Sequence, residues 1–204
     1  VVPTNPAMMT KAVTAATTRE RTLANETANL QQVSLSLAEH AHRMLFGADL
    51  LVSSVEDQMA AQGVHTPQAF RAFGGTRDMH RTLHDAVILT ADVDAISLVD
   101  AEGRLINSSR TFPVPNLALA DRDYYTLLRD QPGTALLISA PVKNRITGQE
   151  SIFLARRVSA ADGSFLGLIT ASITVSRLTR LFGAVLQGQG DSLSLVRRDG
   201  TLLM

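Results

Sequence analysis

The sequence predicts an α+β fold: a long N-terminal helix, then an antiparallel sheet of about five strands with helices packed on one of its faces. Residues 7–62 contain no proline and only one glycine, Gly47, which favours a continuous helix. In the second half of the chain, short alternating apolar runs are separated by turn residues, as is typical of strands. We therefore predict a helix over residues 1–62, a sheet module over 63–190 and the start of a second module over 191–204.

Composition excludes several classes of function. The chain has 204 residues, and its 19 basic residues balance its 19 acidic residues, so we expect no nucleic-acid partner. Cysteine is absent, which excludes disulfides, thiol catalysis and cysteine metal sites. No apolar run reaches the roughly 18 residues of a membrane span, and the N-terminus lacks the pattern of a signal peptide. Any membrane anchor is therefore expected outside this chain.

Apolar residues recur every seven positions along the predicted helix. The series is Met9, Ala16, Leu23, Leu30, Leu37, Met44 and Leu51, with Val13, Ala41, Ala48 and Val55 four places after some of its members. This spacing is typical of a coiled-coil seam. A helix of this length would be roughly 80 Å long, more than one domain can cover. We therefore favour a homodimer formed through this helix over a lone helix that packs only within its own chain.

A second helical region follows at residues 67–90. Gly63 ends the long helix, and Thr66 followed by proline is the N-cap pattern of a new one. His80 and His84 lie one turn apart, which is a spacing that can bind a metal. Because no third ligand is evident in the sequence, we interpret them as solvated helix-face residues, and we predict no metal and no cofactor.

The strand region contains five strand-like runs. They cover residues 95–100, 104–108, 135–139, 151–158 and 165–173, with turn residues at 101–103 and 161–164. An amphipathic helix is predicted over residues 177–186, and residues 187–192 are interpreted as a linker. Residues 193–203 then have the pattern of a further hairpin.

Between the two groups of strands lies a short polar and aromatic helix start. It contains Asp121, Arg122, Tyr124 and Tyr125, and the two tyrosines are the only ones in the chain. Arg122 can hold an anion through several N–H donors, while tyrosine rings can wall a pocket and still hydrogen-bond its contents. The alternative is structural: Asp121 is an N-cap, Arg122 is a surface charge and one tyrosine belongs to the core.

Several segments in this order resemble one family of sensors. They are VDAEGRLINSS, ADRDYYTLLRD, ISAPVKNRITGQESIFLARRVSAADGSFLGLITASI and LVRRDGTLL, after a long helix. Over about residues 40–204 the chain resembles the extracytoplasmic double Cache sensor of bacterial membrane receptors, such as sensor histidine kinases and diguanylate cyclases. The resemblance implies a PAS-like, membrane-distal ligand-binding module over residues 63–190. It makes residues 191–204 the beginning of a membrane-proximal module and places the chain in the periplasm.

The resemblance also implies ligand-binding residues. Asp121 and Arg122 match the Asp-Arg pair of the family, and Arg122, Tyr124 and Tyr125 match the run that contacts a ligand carboxylate. Where amino-acid sensors of the family carry an aspartate that holds the ligand's ammonium, this chain has Ser172. A neutral hydroxyl cannot neutralise a buried ammonium. We therefore expect a small organic anion that carries a carboxylate and no amine.

Strand alternation adds further candidates to the pocket. Ser139 and Thr170 are expected on the same face as the helical insert. One of Arg156 and Arg157 must point to that face and the other away from it. If Arg156 points inward, it gives the pocket a second cation; if Arg157 does, a structural ion pair is the better interpretation.

No enzyme motif is present: there is no nucleophile elbow, no P-loop and no dinucleotide-binding loop. We predict a sensor domain without catalytic activity of its own. On binding its ligand, it would relay a signal through the long helix to a cytoplasmic output domain. The alternative is a structural or protein-interaction module, a dimeric coiled-coil stalk with a PAS-like head that binds no ligand.

Overall fold

The computed structural model describes residues 6–90, 92–184 and 192–204, with side chains from residue 17 onward within those ranges. The chain divides into two compact units, residues 1–42 and residues 43–204. Within the part described, no helix has the length and apolar character needed to cross a membrane.

Helix α1 spans Pro6–Ala61 and confirms the predicted long helix. In the first unit its apolar residues are solvent-exposed: Leu23 is 53% exposed and Leu30 is 66% exposed. Of the predicted seam, the side chains of Met9, Val13 and Ala16 lie outside the described residues.

In the second unit, one stripe of α1 is buried in the core. It consists of Met44, Ala48, Val52, Val55 and Met59. The predicted seam continued to Leu51, but Val52 takes the buried place and Leu51 is only half-buried. The reason is geometric: a straight helix repeats every 3.6 residues and drifts away from a seven-residue pattern.

Three shorter helices flank the sheet, and a fourth lies between its strands. Helix α2 spans Pro67–Gly74, α3 Arg77–Ile88, α4 Asp123–Asp130 and α5 Val175–Gly183. As predicted, the Thr66 side chain caps α2 by accepting a hydrogen bond from the Ala69 amide. Thr76, which was not predicted as a cap, accepts from the Met79 amide at the start of α3. The predicted end of the last helix, at residues 185–186, lies outside the described residues.

One antiparallel sheet organises the second unit. Its strands are β1 (Ala95–Asp100), β2 (Leu105–Ser108), β3 (Leu136–Ile138), β4 (Val142–Lys143), β5 (Glu150–Ser159) and β6 (Phe165–Thr174). The strand order is β2-β1-β6-β5-β3, and β4 also pairs with β5. The fold class and the five strand runs of the prediction are confirmed. Strand β4 was not predicted, because two residues are too few to show an alternating pattern.

The core lies on both faces of the sheet. On one face, residues of α1, α2 and α3 pack against side chains such as Ile96, Leu98 and Leu154. On the other face, α4 packs through Tyr124, Tyr125 and Leu128. Most helices therefore cover one face, as predicted, and the α4 face is left for a shorter helix and loops.

The C-terminal residues 192–204 contain a small hairpin. Val196 and Leu202 form an isolated β-bridge, and Leu203 is buried. The Arg197 guanidinium donates a hydrogen bond to the carbonyl of Ile138 in β3. Most of the predicted linker, residues 187–191, lies outside the described residues.

Two turn glycines, Gly103 and Gly163, differ in how closely other residues approach them. Gly103 and Gly163 have similar positive φ angles, +78° and +83°. A Cβ on Gly103 would lie 2.6 Å from the Ala120 Cβ, whereas a Cβ on Gly163 would meet nothing within 4 Å. We expect Gly163→Ala to lower the unfolding free energy by about 1–2 kcal/mol, the strain of a left-handed residue.

Gly103→Ala should lower the unfolding free energy by roughly 1–3 kcal/mol more than Gly163→Ala does. The reason is that the new methyl group forces the loop before α4 away. Urea unfolding followed by circular dichroism measures both variants. Equal losses of unfolding free energy in the two variants would show that the close approach of Ala120 to Gly103 does not affect stability.

Candidate functional site

The α4 face of the sheet contains a cavity. Its floor is formed by β1, β5 and β6, and its walls by the loop before α4, the start of α4 and the turn between β4 and β5. The lining residues are Ala95, Ser97, Leu105, Arg110, Leu117, Leu119, Arg122, Tyr124, Asn144, Arg145, Ile146, Phe153, Thr170 and Ser172. Four of the eight predicted site residues are among them: Arg122, Tyr124, Thr170 and Ser172.

The cavity exists because the floor residues are small. Cross-strand pairing places Ala95 opposite Ser172 and Ser97 opposite Thr170. Further along the same face, Leu168 is fully buried in the cluster that packs against α4. The sheet face thus carries dense apolar packing at one end and a hollow with hydroxyl groups at the other.

Arg122 lies at the N-cap position of α4, and its guanidinium reaches across the cavity mouth. Its Nη2 donates a hydrogen bond of 2.7 Å to the carbonyl of Lys143. Its Nε is buried and has no hydrogen-bond partner in the described part of the chain. Arg122 also forms no ion pair with any described residue. A guanidinium with an unused buried N–H and no ion-pair partner beside a cavity is suited to an anion.

Tyr124 forms one wall. Its ring stacks on Phe153 with a centroid distance of 5.4 Å and an interplanar angle of 27°. Burial raises the pKa of its hydroxyl from 10.0 to about 12, although the nearby Arg122 charge opposes that shift. The phenol therefore stays neutral at physiological pH and can donate a hydrogen bond to an acceptor inside the cavity.

Asp121 lies on the rim and does not line the cavity, contrary to the expectation that it contacts a ligand. Its carboxylate is 64% exposed and accepts hydrogen bonds of 2.9 and 2.5 Å from the Arg145 guanidinium. The hydrogen bonds from Arg145 hold the pKa of Asp121 below its usual value. Asp121 is not the N-cap of α4 either, because Arg122 occupies that position.

The cavity is narrow. The space between its lining residues is about 450 Å3 when the solvent at the open mouth is included. The part in which the centre of a water molecule fits is only about 30 Å3. That smaller part holds about two water molecules. Any organic ligand therefore needs the mouth to open.

Tyr125 and Ser139 were predicted in the pocket and lie outside it. The Tyr125 hydroxyl donates a hydrogen bond of 2.6 Å to the carbonyl of Ala101, and its ring meets Phe165 edge-on. Successive helix residues point about 100° apart, so Tyr124 and Tyr125 cannot both face one cavity. Ser139 is buried, and its hydroxyl accepts the Phe153 amide hydrogen bond at 2.9 Å.

Arg156 also lies away from the cavity, and this corrects the expectation of a second cation there. It is on the helix side of β5, where it pairs with Asp49 and lies 3.7 Å from Glu56, both in α1. Arg157 points to the cavity side, but its Nη1 donates hydrogen bonds to the carbonyls of Leu128 and Arg129 at the end of α4. Its role there is to cap that helix.

Sequence reasoning missed several lining residues. Arg110 is solvent-exposed, and its guanidinium forms no ion pair with any described residue. Arg145 lies in the turn between β4 and β5 and lines the mouth. Phe153 could have been predicted from strand alternation, because it lies two residues before Ala155 on β5 and therefore on the same face of the sheet.

The two histidines of α3 differ in environment. The Nδ1 of His80 lies 2.8 Å from the Ser108 carbonyl, and its ring stacks on Phe112, so His80 is not a solvated residue. His84 is 51% exposed, as expected for the helix surface. Within the described ranges, no three His, Asp or Glu side chains come together in a way that would hold a metal ion.

No protein-family model matches this chain, and no curated protein sequence matches it. Several solved structures do match it. The crystal structure of the extracellular domain of the candidate histidine kinase rpHK1S-Z16 is 28% identical, with a TM-score of 0.76. The match covers 89% of this chain and 71% of that one.

Two chemoreceptor domains share the fold at lower identity. The ligand-binding domain of the Pseudomonas aeruginosa PAO1 amino-acid chemoreceptor PctC, in complex with GABA, is 17% identical with a TM-score of 0.55. That match covers 79% of this chain and 69% of the PctC domain. The ligand-binding domain of the Pseudomonas fluorescens chemoreceptor CtaA, in complex with L-valine, is 19% identical with a TM-score of 0.55. The match covers 82% of this chain and 66% of that domain. The structural neighbours are thus an extracellular domain of a candidate histidine kinase and ligand-binding domains of chemoreceptors.

Proposed function

We propose that this chain is the periplasmic ligand-binding domain of a transmembrane signal-transduction receptor and that it binds a small organic anion. The observation that carries the proposal is Arg122. Its guanidinium lies at a cavity with one buried N–H unused and no carboxylate paired with it. Such a charge is stabilised when a ligand carboxylate accepts two of its hydrogen bonds.

The proposed anion has no amine. Among the described residues that line the cavity there are three arginines and no aspartate or glutamate. The nearest rim carboxylate, Asp121, is already paired with Arg145. A ligand ammonium would therefore meet positive charge and no free carboxylate among the described lining residues, which is unfavourable in a buried site.

Each lining group has a proposed role. Arg122 binds the carboxylate, and Arg110 adds positive charge at the mouth. Tyr124 and Phe153, whose rings stack on each other, form an apolar wall against which the apolar part of the ligand packs. On the floor, Ser97, Thr170 and Ser172 offer hydroxyl groups to the polar atoms that remain. Tyr125, Ser139 and Arg156 take no part in binding.

We further propose the organisation of a double Cache receptor. Residues 63–190 form the membrane-distal, PAS-like ligand-binding module, and residues 191–204 begin a membrane-proximal module. The membrane anchor lies outside this chain. The output domain is a cytoplasmic histidine kinase or diguanylate cyclase, which receives the signal through α1.

In the proposed receptor, α1 pairs with α1 of a second copy. Leu23, Leu30 and Leu35 are each more than half exposed in the described part of the first unit. Burial of such leucines against a second helix is favourable by about 1.5–3 kcal/mol for each fully buried side chain. A second copy of the chain offers a matching apolar stripe because it has the same sequence.

A second candidate function is favoured by one observation, the small free volume of about 30 Å3. In that case the chain is a dimeric stalk whose head has its cavity filled by side chains and binds nothing. A ligand screen separates the two functions.

Matched pairs of acids, with and without an amine, test the proposed ligand class. Suitable pairs are propionate and alanine, butyrate and GABA, and succinate and aspartate. We expect at least one amine-free acid to raise the melting temperature of the wild-type protein and its amino partner to have a smaller effect. Thermal-shift assays over a concentration series give the apparent affinity.

Arg122→Gln should weaken binding of that acid by roughly 10- to 100-fold, because a charge-assisted hydrogen bond contributes about 1.5–3 kcal/mol. Arg81→Gln is the control, since Arg81 is 69% exposed on α3 and does not line the cavity. Equal stabilisation by both members of every pair would contradict the amine-free class, and no stabilisation by any acid would favour the stalk.

The buried phenol of Tyr124 gives a spectroscopic test of the cavity. The chain has two tyrosines and no tryptophan, so absorbance near 295 nm reports their ionisation without interference. We expect one transition near pH 12, and its absence in Tyr124→Phe. The folded state favours the neutral phenol, so this contribution to stability is fully present below pH 10 and is lost as the pH rises towards 12.

Removal of the Arg122 charge in Arg122→Gln should move the Tyr124 transition to higher pH, because that charge favours the phenolate. A transition that stays unchanged in this variant would show that the guanidinium and the phenol do not share the cavity. Circular dichroism at each pH identifies the range in which the protein is still folded.

The proposed dimer is tested by the double variant Leu23→Glu, Leu30→Glu. We expect it to be monomeric at concentrations where the wild-type protein is dimeric, because it puts charge into the apolar stripe. The control Asn25→Glu, Gln32→Glu adds the same charge to exposed positions on the opposite side of α1. Light scattering coupled to size-exclusion chromatography gives the masses, and dissociation of both variants alike would contradict a leucine seam.

A further inference from the structure

Two arginines bridge the mouth of the cavity in opposite directions. Arg122, in the loop before α4, donates to the carbonyl of Lys143 on the other side. Arg145, in the turn between β4 and β5, donates back to the Asp121 carboxylate and to the carbonyl of Ala118. These contacts join the loop before α4 to the turn, directly above the space that a ligand would enter.

The turn on which Arg145 lies is held as one piece by its own hydrogen bonds. The Asn144 side-chain oxygen accepts from the amides of Ile146 and Thr147 at 2.9 and 3.3 Å. The Asn144 amide donates to the Gln149 carbonyl, and the Gly148 amide donates to the Asn144 carbonyl, both at 2.8 Å. The turn can therefore move without losing its internal structure.

The attachment of this turn to the sheet is slight. The two pairs of strand β4, Val142 with Ser151 and Lys143 with Glu150, lie within the hairpin itself. Beyond them, Ser151 at the base of the hairpin pairs with Thr174 of β6. A hairpin that joins the sheet at its base can bend there at little energetic cost.

The Asp121–Arg145 contact is of a kind that breaks easily. The Arg145 side chain is 34% exposed and the Asp121 side chain is 64% exposed. Exposed ion pairs contribute about 0.2–1 kcal/mol and exchange their partners with water and salt. The contact is strong enough to bias the hairpin towards closure and weak enough to open on the timescale of ligand binding.

We propose that the hairpin Val142–Ser151 is a lid over the cavity and that the Asp121–Arg145 ion pair is its latch. This inference rests on the proposed function, because it explains how a ligand enters a cavity with room for about two water molecules. Asp121 then acts on binding from the rim, by holding Arg145, and not by contact with the ligand. Opening of the latch also frees the Arg145 guanidinium to meet an incoming anion.

The absence of cysteine allows a direct test. Ser172→Cys places one thiol on the cavity floor, where only an opening of the lid exposes it to a reagent. The rate of its alkylation by iodoacetamide, a neutral reagent, then reports the open fraction of the lid. Mass spectrometry follows the reaction in the full chain.

In the Ser172→Cys background we expect Arg145→Gln to increase the labelling rate about three- to fivefold, and Asp121→Asn to increase it by a smaller factor, because an exposed ion pair biases closure only weakly. The charge-swapped variant Asp121→Arg, Arg145→Asp restores an ion pair and should return the rate towards that of the parent. Arg129→Gln is the control: it removes an ion pair of similar exposure, Arg129–Asp130, that does not cross the mouth.

Three results would overturn the latch: equal rates in the parent and in both single variants, an equal increase in Arg129→Gln, or a charge-swapped variant as fast as Arg145→Gln. Urea unfolding of each variant excludes labelling through global unfolding. A second reagent, iodoacetate, keeps the latch distinct from the proposed function, because its carboxylate senses the charge of the cavity. Arg122→Gln should lower the ratio of iodoacetate to iodoacetamide labelling whether or not the latch exists, and an unchanged ratio would count against the anion site alone.

Discussion

The structure depends on one property of its central strands: β5 and β6 are buried on both faces, but the two faces carry different residues. On the side of α1, α2 and α3, large apolar side chains form a dense core. On the side of α4, Thr170 and Ser172 stand where a leucine would close the remaining gap. Because α4 is short and packs on the Leu168 end of that face, nothing large covers the other end, and the cavity follows from this arrangement.

The arginines near the cavity also differ according to the face of the sheet on which they lie. Arg156 and Arg157 are neighbours on β5, and each finds protein partners on its own side of the sheet. Arg122 differs from Arg156 in having no ion pair with a described residue, and from Arg157 in having a buried Nε without a hydrogen-bond partner. The buried Nε of Arg156 has no partner either, but that guanidinium is already paired with carboxylates. A buried donor without a partner destabilises a protein by about 1–3 kcal/mol. That unfavourable energy is removed when an anion binds, which makes Arg122 the natural anchor of the proposed site.

Much of the fold was predictable from local signals, because helix caps, turn glycines and alternation depend on neighbouring residues. Thr66 and Gly163 were both placed correctly on such grounds. The site was predicted only in part, because it depends on which way a side chain turns. Tyr124 and Tyr125 have the same chemistry, and only the docking angle of α4 decides that Tyr124 faces the cavity. No local sequence pattern predicts that Arg110 lines the cavity, because its position depends on where the end of β2 lies in the folded sheet.

The sheet also gives a physical route from the cavity to α1. Phe153 and Arg156 lie three residues apart on β5 and on opposite faces, one against Tyr124 and the other against Asp49 and Glu56. Burial raises the pKa of Glu56 while the Arg156 charge opposes that shift, so Arg156 helps to keep this carboxylate ionised beside the core. A ligand that moves Phe153 therefore acts on a strand whose other face holds two charged groups of the helix. In the proposed receptor, a ligand shifts α1 only as far as its affinities for the two arrangements differ. A narrow cavity favours such a difference, because a ligand larger than its free space displaces the groups around it, Phe153 on the strand among them.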